Sequence, residues 1–367
     1  MQPSFYNAIN LLKKMDWMLI IAVFLISLLS LTTLYHLGKD IHTFSFSKQL
    51  FYVAAGFFLL LAMSLIDYRI FRNYPIFLLF IYAAAVVLLI AVLFFGEKIR
   101  GTTGWFVFGG FNFAPVEFAK LAIVILLAKY FSIRHIELYK LRHLVASGVY
   151  VALPVLLVLV QPDFGSAIIL AAIWLGMVIV SGIRLRQLVI IILIGALLCG
   201  VMWVGFLEDY QKKRVLTFLN PQRDPLGYSY NLRQSIIAIG SGGFWGKGIG
   251  KGTQSHLGFL PESNTDFIFA TVAEERGFVG VLGLFFLYGF LIYRILKISF
   301  IAENNFSRLF AVGLVAMFSF QIFINIGMNL GLVPVVGIPL PLLSYGGSAA
   351  IMNFLGLGIL QSIKVRS

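Results

Sequence analysis

Apolar runs of about 20 residues recur along almost the whole of this 367-residue chain. A helix of that length crosses the hydrocarbon core of a bilayer, where the backbone must satisfy its own hydrogen bonds. The sequence therefore predicts an all-α polytopic membrane protein, with residues 1–367 forming a single membrane domain. We expect ten transmembrane helices, at about residues 17–36, 48–66, 75–95, 115–132, 143–161, 164–182, 187–207, 270–297, 306–332 and 343–363.

The composition excludes a soluble globular class. Hydrophobic residues make up 60% of the chain and charged residues only 12%, whereas soluble domains carry about 25% charged residues. The net charge of +13 does not indicate a nucleic-acid partner, because the Lys and Arg residues lie in short loops between apolar runs. Lys13 and Lys14 precede the first run as in a signal peptide, but the run is long enough to span, so we expect an uncleaved first helix. The only cysteine, Cys199, excludes an intramolecular disulfide.

The distribution of basic residues predicts the orientation. Alternate short loops are rich in Lys and Arg, and the positive-inside rule makes that side cytoplasmic, with both termini inside. The long segment 208–265 then forms one large extracytoplasmic loop between helices 7 and 8, since long loops translocate regardless of charge. The basic residues that carry this prediction are Lys13, Lys14, Arg69, Arg72, Arg134, Lys140, Arg142, Arg184, Arg186, Arg294, Lys297, Arg308, Lys364 and Arg366.

One acidic stretch stands where the long loop meets a membrane span. Residues 259–276 read FLPESNTDFIFATVAEER, and Asp266 lies in it between Thr265 and Phe267. A carboxylate at a membrane edge with aromatic neighbours sees little water, which is a setting where a general base can be tuned. The alternative is an interfacial acid that only keeps the helix from sinking into lipid.

Polar residues inside predicted spans are the next signal, because charges in lipid are costly and often functional. Glu117 and Lys120 are three residues apart, on one helical face, and predict a functional ion pair. Asp163 lies in the short turn QPDFGS between two spans. A stripe at positions 321, 325 and 329 follows helical spacing, and we expect these amides to join helices. The stripe consists of Gln321, Asn325 and Asn329.

Three further stretches lie on the predicted outer side. Arg100 and Trp105 belong to an aromatic segment that could bind an amphiphile or form an ordinary aromatic belt. The segment SGGFWGKGIGKG holds Lys247 and Lys251 among six glycines, so it could cradle a phosphate or be a flexible turn. The third stretch, 334–349, is rich in Pro and Gly and contains two serines that are candidate substrate-binding residues. Irregular backbone at membrane depth must be buried in protein or line a cavity, because lipid cannot satisfy its hydrogen bonds. These serines are Ser344 and Ser348.

Together these segments resemble one family. RGTTGW, PVEFAK, QPDFGSA, NPQRDPLGYSYN, AIGSGGFWGKGIGKGTQ, FLPESNTDFIFA and GIPLPLLSYGGS are similar to the motifs of the SEDS family (shape, elongation, division and sporulation), over essentially the whole chain. GTQSHLGFLPE and GIPLPLLSYGGS look more like its rod-shape branch than its division branch. Asn264 departs from the pattern, because the family usually has His there.

The resemblance implies a peptidoglycan glycosyltransferase in the bacterial cytoplasmic (inner) membrane. It would polymerise lipid II, an undecaprenyl-pyrophosphate-linked disaccharide-pentapeptide, on the outer face during cell elongation and rod-shape maintenance. It also implies a class B penicillin-binding protein and other elongation-complex membrane proteins as partners. The family's essential Asp falls on Asp266, its polar pair on Glu117 and Lys120, and its acidic turn residue on Asp163.

The chemistry of that reaction agrees with the residues. An acceptor hydroxyl needs a base, for which Asp266 is the candidate, and a departing pyrophosphate needs cations. Candidate substrate-binding residues are Arg100, Trp105, Glu117, Lys120, Asp163, Lys247, Lys251, Ser344 and Ser348. No cofactor is evident and no protein metal site is predicted, although a divalent cation could assist.

Two rival functions belong to other classes. A lipid II flippase would suit buried polar residues such as Glu117 and Asp163, but these gather on the outer half, whereas a transporter needs access from both faces. A scaffold that only recruits a synthase is the third possibility. An acidic residue at the interface argues mildly against it.

Overall fold

The computed structural model describes residues 11–40, 45–99, 102–109, 111–134, 141–205, 209–220 and 228–367. The chain is mostly helical, and each of the ten predicted spans falls on a helix. These helices are α1 (Trp17–Asp40), α2 (Ser45–Leu65), α4 (Pro75–Phe95), α5 (Pro115–Arg134), α6 (Leu141–Val160), α7 (Phe164–Val180), α8 (Leu185–Gly205), α12 (Ile268–Ile301), α13 (Asn305–Asn329) and α14 (Gly347–Val365), with a short α3 (Arg69–Asn73) between α2 and α4.

Seven of the described helices are long and apolar enough to cross a membrane: α1, α2, α4, α6, α12, α13 and α14. Helix α7 and residues 185–197 of α8 form shorter apolar helices. Helix α5 carries Glu117, Lys120 and Lys129 within its length. Ten crossings therefore remain a prediction.

Helix α13 lies near the centre of the bundle, where it packs against α5, α7 and α12. The small residues along it permit close approach, since an ideal Cβ on Gly176 of α7 would overlap the Cβ of Ala316. Helix α14 packs along α2. By contrast, α8 leaves most of its apolar side chains exposed, including Leu185, Leu193 and Val204. Such a surface is expected where lipid takes the place of a protein neighbour.

The expectation of a wholly helical chain is wrong at residues 97–113. Three antiparallel strands form there in the order β1 (Glu97–Ile99), β2 (Thr102–Phe108) and β3 (Phe111–Phe113). Trp105 pairs with Glu97, and Phe106 pairs with Phe113. Aromatic and β-branched residues favour strands, although the same residues also suit a membrane interface. Arg100 lies outside the described residues.

The segment predicted as a large loop contains helices. They are α9 (Asp209–Leu219), α10 (Tyr228–Gly242) and α11 (Thr253–His256). Helix α10 packs chiefly against α12. This segment is therefore seated on the bundle beside the start of α12.

Helix α12 is broken at Gly277, whose φ is 63° and ψ is −162°. A Cβ at this position would overlap the backbone nitrogen of Gly246. Only glycine suits both this φ and this close approach. The break separates a half-helix, 268–276, from the longer part that follows it, 278–301.

Candidate functional site

Asp266 lies in the turns that lead into α12, and its backbone is held from two sides. Its carbonyl oxygen accepts hydrogen bonds from the side-chain amides of Asn325 (3.0 Å) and Asn329 (3.0 Å) on α13. From the other side, the Ser344 hydroxyl donates to the Thr265 carbonyl oxygen over 2.6 Å. Two of the three amides in the predicted stripe therefore join elements, and what they position is the segment that carries the candidate base.

The segment 337–345 completes this clamp. Asn325 donates to the Ile338 carbonyl oxygen (2.7 Å), and the Tyr345 amide donates to the Asn264 carbonyl oxygen (2.9 Å). Gly337 has φ +72°, and its absent Cβ would lie 3.4 Å from Oδ2 of Asp266. The carboxylate thus rests against a bare stretch of backbone.

Two non-glycine residues beside the clamp have left-handed φ, namely Glu262 at 58° and Leu342 at 64°. Such conformations cost on the order of 1–3 kcal/mol each and tend to occur at functional sites. The Glu262 carbonyl oxygen accepts from the Thr265 and Phe267 amides, both at 3.1 Å. These two hydrogen bonds therefore hold a strained turn in place directly before Asp266.

Glu117 and Lys120 form the ion pair that their spacing predicts. Lys120 Nζ lies 2.7 Å from Glu117 Oε1, and Glu117 and Lys120 are only 6% and 2% exposed. A buried pair is a poor source of stability, because desolvation offsets most of its Coulomb attraction. Stability alone therefore gives little reason for the pair, and its functional role stays a prediction.

Asp163 begins the next helix of this cluster, where it caps α7 by accepting from the Ser166 amide (3.0 Å). Burial raises the pKa of this carboxyl above its usual range, while the bonds to Ser166 and the charge of Lys120 lower it. Glu117 acts in the same direction as burial. These three ionisable groups therefore share one electrostatic environment.

One segment borders both acidic positions. An ideal Cβ on Gly165, two residues after Asp163, would lie only 2.6 Å from the Val336 carbonyl oxygen. Gly337, the next residue of that segment, lies against Asp266. The structure thus brings Asp163 and Asp266 to neighbouring places on the 336–338 segment, with the Glu117–Lys120 pair electrostatically coupled to Asp163.

The glycine-rich loop, residues 243–250, fills the break in α12. The Lys247 and Gly248 amides donate to the carbonyl oxygens of Glu274 and Glu275, both at 3.0 Å, which end the half-helix. The Phe278 amide, which begins the second part, donates to the Gly243 carbonyl oxygen over 2.9 Å. The loop is therefore an ordered connector, and both ends of the break are hydrogen-bonded to it.

Lys247 is paired with a buried acid. Its Nζ lies 2.8 Å from Oε1 of Glu274, which is fully buried and also accepts from the Ser255 amide and hydroxyl. Both lysines were predicted to bind phosphate. The structure pairs Lys247 with the carboxylate of Glu274, whereas the side chain of Lys251 is exposed.

Glu275 is the centre of a second buried network that the sequence did not reveal. It accepts from the Gly250 amide (3.0 Å), and lies 3.0 Å from His256 Nε2 and 3.2 Å from Arg276 Nη1. Arg276 then donates to Thr33 of α1 over 2.9 Å. The one sequence feature that pointed to this network is the density of glycines in 241–252, because glycines allow another part of the backbone or a side chain to approach closely.

The remaining predicted residues are placed as follows. Trp105, on β2, packs partly buried against the core. Ser348 is buried in the first turn of α14, and its hydroxyl has no hydrogen-bond partner among the described residues. Within the same part of the chain, no group of three His, Cys, Asp or Glu residues is arranged to hold a metal ion.

Comparison with known proteins adds the family. The family model described as cell cycle protein, FtsW/RodA/SpoVE, matches residues 10–367. The chain belongs to this family. It is 40% identical to the peptidoglycan glycosyltransferase MrdB of Escherichia coli (strain K12) over 326 residues, 89% of this chain and 86% of that protein. It is 33% identical to stage V sporulation protein E of Bacillus subtilis, covering 97% of this chain and 96% of that protein.

Solved structures agree with the fold. One, described as "Structural coordination of polymerization and crosslinking by a peptidoglycan synthase complex", matches with a TM-score of 0.80 at 32% identity, covering 95% of this chain and 97% of that chain. The crystal structure of the rod shape determining protein RodA of Thermus thermophilus matches with a TM-score of 0.68 at 28% identity, covering 95% of this chain and 96% of that chain.

Proposed function

We propose that this chain is a peptidoglycan glycosyltransferase that polymerises lipid II, with Asp266 as the general base. The relatives named peptidoglycan glycosyltransferases support the activity. The clamp on Asp266 is the observation that carries the assignment of the base. Two amides from α13 and one hydroxyl from the 337–345 segment hold its backbone turn, so the Asp266 side chain extends from a fixed backbone position.

The reaction needs this fixed carboxylate because an acceptor sugar hydroxyl is a poor nucleophile until a base takes its proton. Proximity and orientation add to the rate when the base is preorganised. The departing pyrophosphate needs positive charge or donors, and Lys120, Lys251 and the buried hydroxyl of Ser348 are the candidates here, with Arg100 the further prediction. Lys120 would exchange part of its contact with Glu117 for the substrate.

The membrane setting fits a lipid-linked substrate. We place Asp266 at the outer face of the bacterial cytoplasmic membrane, where the positive-inside rule puts this end of the bundle. One similar structure belongs to a peptidoglycan synthase complex in which polymerisation and crosslinking are coordinated. A class B penicillin-binding protein is therefore the partner that we propose, in a role in cell elongation.

A purified assay tests the proposal. Asp266→Asn keeps the size of the side chain but removes the basic oxygen, so polymerisation of lipid II by the purified protein with its partner should fall by about 10²–10⁴-fold. Glu262→Gln is the matched control, because it changes another carboxylate of the same turn and should retain most activity. Parental rates in Asp266→Asn would show that Asp266 is not the base.

A lipid II flippase remains the second candidate, because the buried Glu117–Lys120 pair lies within the helix bundle, as polar groups of transporters do. The parental protein should make glycan when its partner's own glycosyltransferase activity, where present, is inactivated. Transfer of lipid II across vesicles without any glycan product would favour the flippase instead.

A further inference from the structure

A polar cavity of about 500 Å³ lies at the end of the bundle opposite Asp266. The cavity lies at the end of α5 and the start of α13. The opposite ends of these helices carry the Glu117–Lys120 pair and the two amides that bind the Asp266 carbonyl oxygen. We propose that this cavity binds the headgroup of an anionic phospholipid in the cytoplasmic leaflet. Its lining is Arg72, Asn73, Lys129, Ser132, Asn304, Asn305 and Phe306.

The charge of the lining is the first argument. Arg72 and Lys129 are both cationic, and no carboxylate is among the described residues that line the cavity. Lys129 Nζ donates to the Arg72 carbonyl oxygen, which brings the two residues to the same wall. Two cations gathered in a cavity without an acidic lining residue favour an anionic ligand, and Arg and Lys are the side chains that bind phosphate best.

The start of α13 is the second argument. Asn304 caps this 25-residue helix by accepting from the Ser307 amide over 3.0 Å, and its own amide donates to the Tyr68 hydroxyl over 2.9 Å. Asn304, Asn305 and Phe306 all border the cavity. The positive end of the helix dipole therefore adds to the field of the two side chains.

The surroundings favour a lipid over a free anion. Shortly after Asn73, α4 presents strongly exposed apolar side chains, with Ile76 at 82% and Phe80 at 69% exposure. On the other flank Ile133, next to Ser132, is 59% exposed. Acyl chains can lie on these surfaces while the phosphate occupies the cavity. Basic pockets between helices on the cytoplasmic side are sites of this kind.

The proposal distinguishes anionic from zwitterionic lipids. A phosphatidylglycerol headgroup carries net negative charge and offers phosphate and hydroxyl oxygens to Arg72, Lys129 and the amides. A phosphatidylcholine headgroup brings a quaternary ammonium that two nearby cations repel. We therefore expect selectivity by headgroup charge rather than by chain length.

The test measures lipid retained by the full-length protein. The protein is stripped of lipid in detergent, titrated with phosphatidylglycerol, phosphatidylcholine or inorganic phosphate, and examined by native mass spectrometry. Phosphatidylglycerol should bind about tenfold or more tightly than phosphatidylcholine. Arg72→Gln and Lys129→Gln should each weaken phosphatidylglycerol binding by about tenfold, the worth of one charge-assisted hydrogen bond.

Arg186→Gln is the matched control, because it removes one exposed positive charge at the same end of the bundle without touching the cavity. It should leave phosphatidylglycerol binding within about twofold of the parent. Lys129→Arg, which keeps the charge, guards against a folding defect and should retain binding. Equal retention of both lipids, or equal losses in Arg186→Gln and Lys129→Gln, would overturn the proposal. Binding of inorganic phosphate without phosphatidylglycerol would replace the lipid by a soluble anion and overturn it as well.

Discussion

At the scale of single residues, the amides of α13 decide where Asp266 stands. Asn325 donates to the carbonyl oxygens of both Asp266 and Ile338, so it joins the two segments that enclose the carboxylate. Asn329 shares the Asp266 carbonyl oxygen and also accepts from the Ala270 amide over 3.2 Å. Neither side chain needs to touch the substrate to matter, because both hold the backbone of the candidate base.

We predict that Asn325→Leu lowers the free energy of unfolding by about 1–3 kcal/mol, because the Ile338 carbonyl oxygen loses its buried donor. Polymerisation should fall together with stability, since the Asp266 turn loosens. Gln321→Leu, one turn earlier on the same helix, is the control. Gln321 is also buried, yet its amide oxygen has no partner among the described residues. Thermal unfolding in detergent measures both, and an equal loss in the control would contradict the positioning role.

Asp163 gives a prediction about pH. Burial raises the pKa of its carboxyl in the folded protein, so between the usual and the raised value the folded state holds a proton that the unfolded state lacks. Stability must then fall as pH rises through that window. Asp163→Asn keeps an oxygen to accept from the Ser166 amide but cannot ionise, so its thermal stability should decline less over the window. Parallel curves for the parent and Asp163→Asn would contradict this.

At the scale of elements, the broken helix and the glycine loop form one unit. The half-helix 268–276 ends in carbonyl groups that accept hydrogen bonds from the loop amides, and its last turn carries Glu274 and Glu275. Lys247, Ser255 and His256 close around those two acids from the loop side. The half-helix begins two residues after Asp266, so the loop anchors the far end of the element that carries the candidate base.

Gly277→Ala tests that unit. A left-handed φ costs a non-glycine residue about 1–3 kcal/mol, and the new methyl group would also overlap the Gly246 backbone. We expect a clear loss of thermal stability and, with it, of polymerisation. Gly283→Ala lies on the same helix, where a Cβ meets nothing within 4 Å, and should be neutral or stabilising by up to about 1 kcal/mol. Similar stability of the two variants would argue against a strained break.

The features that the sequence predicted well depend on local spacing, namely the length of an apolar run and the separation of two charges on one helical face. The run from 75 to 95 coincides with α4, and the spacing of Glu117 and Lys120 predicted their ion pair. The break at Gly277 was not predicted. Glu274, Glu275 and Arg276 interrupt the apolar run just before it, but only the close approach of Gly246 reveals that the position needs glycine. The β2 strand was missed for a related reason: an aromatic run suits both a strand and a membrane interface.

At the scale of the whole molecule, two kinds of chemistry occupy opposite ends of the bundle. The end that holds Asp266 gathers carboxylates, a buried ion pair and an irregular backbone sheltered by α13. The other end gathers exposed cations and the cavity between α3, α5 and α13. The positive-inside rule predicts the direction in which the bundle crosses the membrane, with the basic end in the cytoplasm. Both proposals therefore depend on the same orientation, which puts the proposed active site at the outer face and the proposed lipid site at the cytoplasmic face.

That orientation can be measured directly. In a Cys199→Ser background, Ser241→Cys places a thiol on an exposed position of α10, in the segment that we expect outside. A membrane-impermeant thiol reagent should label it in spheroplasts, whose cytoplasmic membrane is intact. Arg186→Cys, exposed at the opposite end, should react only after that membrane is permeabilised. The pair controls for reagent access, because both thiols are open to water once the membrane is breached. The reverse pattern would place Asp266 in the cytoplasm, where the growing glycan is not assembled, and both the outer-face active site and the cytoplasmic-leaflet lipid site would have to be abandoned together.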